Sequence, residues 1–180
     1  MAGLLALAIF GCASTGAPPD AADREKQRAA LLEYEQQTLE KLYDSNPAAR
    51  AEIAAASGHA VFNLTSVNAV LLVGQQGKGV LVDHGKKTTT FMKTSRAGTG
   101  PGIGYQELRQ VFVFTSTGAL EQFVAGKSLG GDVSASYSIG KENAQQSLNP
   151  NIKVYQINES GYALQANWGG TAYFVDADLN

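Results

Sequence analysis

The sequence contains a single cysteine, Cys12, and only two histidines, His59 and His84, among its 180 residues. One cysteine rules out an internal disulfide framework and any metal site built from several thiolates. The H-E-x-x-H and G-x-S-x-G signatures and a cysteine–histidine pair are also missing. We therefore predict no enzymatic activity, no catalytic residue, no metal and no cofactor. Two catalytic alternatives remain open: a hydrolase that uses His59 or His84, and a metal site formed by both histidines with carboxylates.

Charged residues are scarce as well, at 17% of the chain, and the formal net charge is -2. This balance lacks the basic footprint of a nucleic-acid-binding protein, so we expect no nucleic-acid partner. No stretch reaches the ~20 apolar residues that a membrane-spanning helix needs. Hydrophobic residues nevertheless make up 44% of the sequence, which is enough for one packed domain of this length.

The chain begins with a short apolar segment that ends at the cysteine. Leu7-Ala8-Ile9-Phe10-Gly11-Cys12 resembles the signal sequence and lipobox of a bacterial lipoprotein, and its apolar run of about 10 residues is typical of a signal peptide. The resemblance implies that residues 1–12 are a leader, that Cys12 is lipidated, and that the protein is extracytoplasmic and anchored to the cell envelope. Because Ala13-Ser14 bring no aspartate, it implies the periplasmic face of the outer membrane in a Gram-negative cell.

Two alternatives to the lipoprotein hypothesis stay open. The cysteine could be incidental to a short signal peptide. Translation could also start further upstream, since the segment before Cys12 contains no Lys or Arg.

Residues 13–22 are small and contain proline, which predicts a flexible tether, and residues 23–180 are predicted to form a single domain. A helical pattern runs from Asp20 or Asp23 to Tyr43. Its apolar arc is interrupted by Arg28 and Glu35, and consists of Leu31, Leu32, Leu39, Leu42 and Tyr43. Asn46-Pro47 predicts the start of a second, alanine-rich helix that ends before Gly58.

After Gly58 the pattern changes to short β-rich runs separated by glycine, about nine in all, including one at Asp132–Ile139. His84-Gly85 suits a two-residue hairpin turn, in which glycine accepts the positive φ. Val111–Phe114 is entirely apolar, which indicates a central strand. A short helix over Leu120–Val124 is expected to interrupt the strands. The sequence thus predicts an α+β domain: two N-terminal helices, then a mainly antiparallel, strongly curved or barrel-like sheet with one short inserted helix.

Several motifs in this order are similar to the SYLF domain. They begin with Gly58-His-Ala-Val-Phe62 and Gly74-Gln-Gln-Gly77-Lys-Gly79-Val80-Leu81, and continue through Leu129-Gly-Gly-Asp132 to Ser160-Gly161-Tyr162-Ala163-Leu164. The resemblance covers roughly residues 45–180. Eukaryotic members of this family bind membrane phosphoinositides, fungal members also bind actin, and bacterial members are commonly predicted lipoproteins of unknown role. The resemblance therefore implies membrane lipids with anionic or phosphorylated headgroups as partners, whereas actin is not expected in a bacterium.

The first helix departs from the family's membrane-binding helix. Its polar face carries Glu33, Glu40 and Asp44, whereas a helix on an anionic membrane favours Lys or Arg. We therefore expect the segment from Leu31 to Tyr43 to pack on the core.

The candidate headgroup contacts are the one basic concentration in the chain, namely Lys78, Lys86, Lys87, Lys93 and Arg96. The alternative is a solvated hairpin edge on which lysines prevent pairing with another sheet. The tail Asp176-Ala-Asp178-Leu-Asn180 matches the first ligands of a calcium loop but lacks the glycine and distal glutamate, so we expect a frayed acidic tail. Together these observations predict an envelope lipoprotein with a lipid-binding domain; the alternative is a structural or protein-interaction module of the cell envelope, whose protein partner is unknown.

Overall fold

The computed structural model describes residues 20–126, 150–165 and 168–180. The elements in these ranges are two helices, two long strands, a short helix and two further strands. Their bounds are α1 Ala21–Ser45, α2 Ala48–Ala55, β1 Gly58–Asp83, β2 Thr88–Phe114, α3 Thr117–Val124, β3 Ile152–Gln165 and β4 Trp168–Val175. The α+β class, the two leading helices and the inserted helix are confirmed. Cys12, the leader, nearly all of the predicted tether and the predicted strand at Asp132–Ile139 lie outside the described residues.

The helix ends follow local capping chemistry. Asp20 caps α1, because its side chain accepts a hydrogen bond of 2.8 Å from the Asp23 backbone N–H. In α3, Ser116 is the N-cap and accepts from the Ala119 N–H, while Gly126 follows the helix at φ +65°, where glycine is favoured. At α2, Pro47 rather than Asn46 occupies the cap position and makes no side-chain capping bond.

Four strands form the described sheet, and all the pairings are antiparallel. β2 pairs with β1 along nearly its whole length, with β3 at its C-terminal half and with β4 at its N-terminal half. The short runs predicted within residues 58–83 are therefore one continuous strand rather than three. Val111–Phe114 pairs on both sides, with β1 and with β3, as expected for a central strand.

One irregularity reverses the two faces of β1. The register with β2 shifts between Val70 and Leu72, and Val70 has φ 58°, as in a β-bulge. Before this point the even-numbered residues of β1, such as Phe62, face the aromatic core. After it the odd-numbered residues, such as Leu81, face that core. The sheet is curled but not closed. We call the concave side, which holds the aromatic core, the inner face.

Two glycines allow the halves of β1 to approach each other across the inner face. A Cβ on Gly77 would lie 2.2 Å from the Asn63 carbonyl oxygen, and one on Gly79 would lie 2.4 Å from that of Val61. Such separations are too short for any side chain. The lack of a Cβ at these positions therefore permits the tight curvature that the sequence predicted.

The hairpin between β1 and β2 differs from the prediction. Asp83 pairs with Thr88, so the loop has four residues, His84 to Lys87, rather than two. The positive φ of 54° falls on Lys87 and not on Gly85. The Asp83 carboxylate stabilises the loop by accepting a hydrogen bond of 2.9 Å from the Lys86 backbone N–H.

Hydrophobic residues pack on both faces of the sheet. On the inner face, aromatic rings make contacts with centroids 4.9 to 6.4 Å apart; they are Phe62, Phe112, Phe114, Phe123 and Tyr173. On the outer face, Leu42 of α1 and Ile53 of α2 pack on the neighbouring strand positions Val61 and Val111. Core packing of α1, as expected above, is therefore confirmed.

The polar residues that interrupt the α1 arc make specific contacts with the domain. Arg28 Nε donates to the Leu179 carbonyl over 2.7 Å, and its guanidinium lies 5.9 Å from the centroid of the Phe91 ring. Glu35 contacts His59. Leu32, by contrast, is exposed. The buried stripe of α1 is thus rotated from the arc that hydrophobicity alone predicts. Within the described part of the chain, no helix combines the length and the apolar character required to cross a membrane.

Candidate binding surfaces

The five predicted headgroup contacts do not form one basic surface. Lys78 Nζ donates to Gln27 Oε1 of α1 over 2.7 Å. Lys86 Nζ lies 3.2 Å from a Glu121 carboxylate oxygen of α3. These two lysines therefore join the hairpin to the helices that flank it. Of the four lysines on the hairpin arms and loop, Lys87 alone is exposed with no bond or ion pair to a described residue.

Lys93 binds the C-terminal tail instead of facing solvent. Its Nζ lies 2.7 Å from Asp176 Oδ1 and 2.9 Å from Asp178 Oδ2. The hydrogen bonds that Lys93 donates to Asp176, and then to Asp178, raise the pKa of Lys93 against the opposing effect of burial. A cation that is already neutralised by two carboxylates has little charge left for a lipid phosphate.

The tail itself is docked, so the expectation of a frayed acidic tail is wrong. Asp176 N–H donates to the Phe91 carbonyl, and Asn180 Nδ2 donates to the same oxygen over 2.8 Å. Leu179 is buried in a small cluster with Val80 and Phe91. The aspartates that matched a calcium loop serve to hold Lys93 and the sheet edge.

Arg96 points to the inner face of the sheet. It is 9% exposed, and its Nε and Nη2 atoms have no hydrogen-bond partner. It pairs in the β ladder with Gln75 on one side and Thr171 on the other. Arg96 therefore does not lie on the exposed surface that the sequence suggested, because strand alternation turns its side chain inward with those of Met92 and Thr94.

An exposed apolar surface surrounds the bulge of β1, and the sequence did not predict it. Leu71 and Leu72 are 62% and 67% exposed, and Ile103 on β2 is 73% exposed. Pairing across the ladder places Ile103 beside Ala69, and Tyr105 beside Val67. We call this surface the apolar tip, and its large exposed side chains are Val67, Val70, Leu71, Leu72, Ile103 and Tyr105.

The strands that carry the apolar tip contain no acidic residue over long stretches. Neither residues 64–82 nor residues 88–106 include Asp or Glu, although they contain Lys78, Lys93 and Arg96. The first carboxylates along the chain are Asp83 and Glu107, at the boundaries of these stretches. Glu107 accepts a hydrogen bond of 2.6 Å from the Tyr105 hydroxyl, so one negative charge lies at the edge of the apolar tip.

The two histidines, far apart in sequence, are in contact. His59 Nδ1 lies 3.0 Å from His84 Nε2, His59 Nε2 lies 2.7 Å from Glu35 Oε1, and His84 Nδ1 lies 2.9 Å from the Ala56 carbonyl oxygen. Every ring nitrogen is therefore within hydrogen-bond distance of another group of the protein. Among the described residues, no group of three or more His, Cys, Asp or Glu side chains could hold a metal ion. The arrangement links α1, the end of α2 and the hairpin loop.

A second buried polar contact joins α1 to the sheet. Arg109 donates to both carboxylate oxygens of Glu159, from Nε over 2.6 Å and from Nη2 over 3.1 Å, and its Nη1 donates to Thr38 Oγ1. Its guanidinium also lies 4.3 Å from the centroid of the Tyr34 ring. The hydrogen bond from Arg109 is the main reason that the pKa of Glu159 is lowered, and burial raises the pKa of Tyr34 to about 12.

Comparison with known proteins gives one informative relative. The chain is 31% identical over 159 residues to beta cell expansion factor A from Aeromonas veronii. The alignment covers 86% of this chain but 59% of the relative, so the chain spans less than two thirds of that protein. No protein-family model matches the chain. The similarity relates most of the described domain to a bacterial protein.

Proposed function

We propose that the protein is a non-enzymatic, lipid-binding envelope protein with a SYLF-like domain, tethered to the membrane through a lipidated Cys12. The order of motifs over residues 45–180 and the similarity to the Aeromonas veronii protein support the family assignment. The partners are membrane lipids with anionic or phosphorylated headgroups. The domain binds these lipids through the apolar tip and not through the basic residues of the β1–β2 hairpin.

The exposure of the apolar tip is the observation that carries this proposal. Aliphatic side chains as exposed as Leu71, Leu72 and Ile103 lose the benefit of burial, which for a leucine is worth about 2 kcal/mol. Contiguous apolar surface of this kind marks sites of membrane or protein interaction. Insertion of the apolar tip into the acyl region of a bilayer would recover that free energy.

The strands of the tip carry few carboxylates, which limits electrostatic repulsion from an anionic membrane. Residues 64–82 and 88–106 lack Asp and Glu, and the nearby Glu107 carboxylate accepts a hydrogen bond of 2.6 Å from the Tyr105 hydroxyl. The acyl chains on Cys12 would keep the domain at high effective concentration near the bilayer, so a weak contact would suffice.

Vesicle co-sedimentation tests the proposal. The full chain with Cys12→Ser, which removes the acylation site, is mixed with vesicles containing either phosphatidylglycerol or only phosphatidylcholine. Leu71→Ser/Leu72→Ser should reduce the bound fraction several-fold. The matched control, Leu32→Ser/Phe174→Ser, removes two exposed apolar side chains outside the tip and should bind like the parent chain.

The alternative function, a protein-interaction module, predicts a different pattern. If neither vesicle type binds the parent chain, or if both double variants bind equally well, the lipid-binding proposal fails. A protein crosslinked through position 71 in intact cells, without any vesicle affinity, would then identify the apolar tip as a protein-binding surface.

A further inference from the structure

Two arginines of β2 are buried to nearly the same extent but differ completely in their partners. Arg109, 6% exposed, donates to both oxygens of Glu159 and to Thr38. Arg96, 9% exposed, makes no ion pair with a carboxylate of the described residues, and its Nε and Nη2 are without a hydrogen-bond partner there. Burying an arginine without a counterion or hydrogen bonds is costly, and native proteins seldom do so.

The buried strand positions on the same face as Arg96 are largely neutral and polar among the described residues. Beyond the aromatic core, the inner face continues with buried neutral polar residues on β1 and β2, which are Ser66, Asn68, Thr94, Gln106 and Gln110. Tyr173 of β4 donates to Gln110 Oε1 over 3.1 Å. The inner face is therefore divided into an aromatic half and a polar half, and Arg96 is the only cation in the polar half among the described residues.

The curvature of the sheet brings the polar residues of β1 towards Arg96. Gly77 lies against Asn63 and Leu64, and Gly79 lies against Val61 and Phe62. Gln75 lies two residues before Gly77 on the same face of β1, and it is the ladder neighbour of Arg96. On the other half of β1, Ser66 lies two residues after Leu64. Continuing this approach by two residues along each segment would place Ser66 opposite Gln75. The sheet is curled but not closed.

We propose that the polar half of the inner face is a binding site for an oxyanion, a phosphate or carboxylate group of a ligand, held by the guanidinium of Arg96. A guanidinium presents its N–H donors in a planar fork that matches both groups, and it binds them through two parallel hydrogen bonds. The neutral hydroxyl and amide side chains around it supply further donors without competing for the cation. This site lies on the opposite side of the sheet from the outward-facing Ile103 and Tyr105, so it does not depend on the apolar tip.

Thermal unfolding with three probes tests the site and identifies the source of the oxyanion. The full chain with Cys12→Ser is heated alone and with inorganic phosphate, hexanoate or dihexanoyl phosphatidic acid below its micellar concentration. A ligand that binds only the folded state raises Tm, and the rise grows with the logarithm of the ligand concentration once this exceeds Kd. A response to inorganic phosphate would indicate a phosphate-group site, a response to hexanoate a carboxylate site, and a response to phosphatidic acid alone a lipid headgroup.

Variants at Arg96 separate this site from general charge effects. Arg96→Met should remove the Tm response and weaken binding at least about tenfold. Without any probe it should be at least as stable as the parent, because a buried charge without a partner has been removed. Lys87→Met also removes one positive charge, but from an exposed position, so this variant should keep the full Tm response of the parent chain. Arg96→Lys keeps the charge without the fork and should bind more weakly than the parent.

The proposal is overturned if no probe raises the Tm of the parent chain, or if Arg96→Met responds as the parent does. The Tm responses are independent of vesicle binding. If the chain responds to a probe but does not bind vesicles, only the proposal for the apolar tip fails. If it binds vesicles but no probe raises its Tm, only the proposal for Arg96 fails.

Discussion

Lys93 Nζ lies 2.7 Å from Asp176 Oδ1, and the Asp176 side chain is fully buried. This contact joins the middle of the sheet to the end of the chain. Asp176→Asn should lower the free energy of unfolding by about 2 kcal/mol, because it removes a charge-assisted hydrogen bond and leaves Lys93 with only the exposed Asp178. Urea denaturation measures the change. Asp178→Asn is the matched control and should cost less than about 0.5 kcal/mol. Equal costs for both variants would contradict this account of the tail.

The Glu35–His59–His84 arrangement should behave as one coupled unit. Glu35→Gln and His59→Gln should each destabilise the protein by about 1–3 kcal/mol, since each leaves a buried polar partner with poorer hydrogen bonding. The double variant should cost less than the sum of the two, with a coupling energy of at least about 0.5 kcal/mol. Urea denaturation of all four proteins gives the cycle. Strictly additive costs would mean that the 2.7 Å contact between His59 and Glu35 contributes nothing to stability.

Two of the seven tyrosines should ionise only in strong alkali. Burial raises the pKa of Tyr34 to about 12, and burial together with the hydrogen bond to Glu52 raises that of Tyr155 to about 12, from a usual value of 10.0. The folded chain thus holds these protons to a higher pH than the unfolded chain does. The stability that these two raised pKa values give to the folded state is fully present below pH 10 and is lost as the pH rises towards 12.

Absorbance titration at the phenolate band measures this directly. Tyr34→Phe and Tyr155→Phe should each remove one late-ionising group. A titration in which all the tyrosines ionise together near pH 10 while the chain remains folded would contradict the prediction.

Acid should weaken the protein through two carboxylates on the helix–sheet contacts. The hydrogen bond that Arg109 donates lowers the pKa of Glu159. The pKa of Glu52 is lowered mainly by the hydrogen bond from Tyr155 and next by the hydrogen bond from Lys153. A lowered pKa in the folded state gives stability that is present above the usual value of 4.5 and is lost as the pH falls below it. Glu159→Gln should therefore flatten the acid limb of the stability–pH curve. An unchanged acid limb in this variant would contradict a role for the Arg109–Glu159 pair.

Much of the fold could be predicted because its signals are local. Asp20 and Ser116 are capping residues, Gly126 ends α3, and the apolar run Val111–Phe114 is typical of a strand that pairs on both sides. Each signal lies within a few residues of the feature that it specifies. The strong curvature also had a local signal in the abundance of glycine.

The binding surfaces could not be predicted in the same way because they depend on register. The register shift between Val70 and Leu72 exchanges the two faces of β1. Alternation extended from one side of this shift to the other therefore assigns the wrong residues to the core. The three consecutive apolar residues Val70-Leu71-Leu72 were the available signal, since alternation cannot bury all three. The inward position of Arg96 and the partners of Lys93 follow from pairing with β4, more than 70 residues away in sequence.

The backbone at Val70 is strained, and relieving the strain should stabilise the protein. A β-branched residue at φ 58° is disfavoured by about 1–2 kcal/mol, whereas asparagine tolerates this region. Val70→Asn should therefore raise the free energy of unfolding by about 1 kcal/mol. Val67→Asn, an exposed position with ordinary strand geometry, is the control and should not stabilise. If both variants lower stability equally, Val70 does not adopt the left-handed conformation in solution.

The central claim is that the apolar tip enters the bilayer, and a single fluorescent label tests it most directly. Because the chain has one cysteine, Cys12→Ser/Leu71→Cys carries an environment-sensitive fluorophore only at the tip, and Cys12→Ser/Leu32→Cys carries it only on α1. With vesicles containing phosphatidylglycerol, we predict a blue shift at position 71 that is quenched by lipids brominated on their acyl chains, and no change at position 32. No shift at position 71, or equal shifts at both positions, would contradict the account.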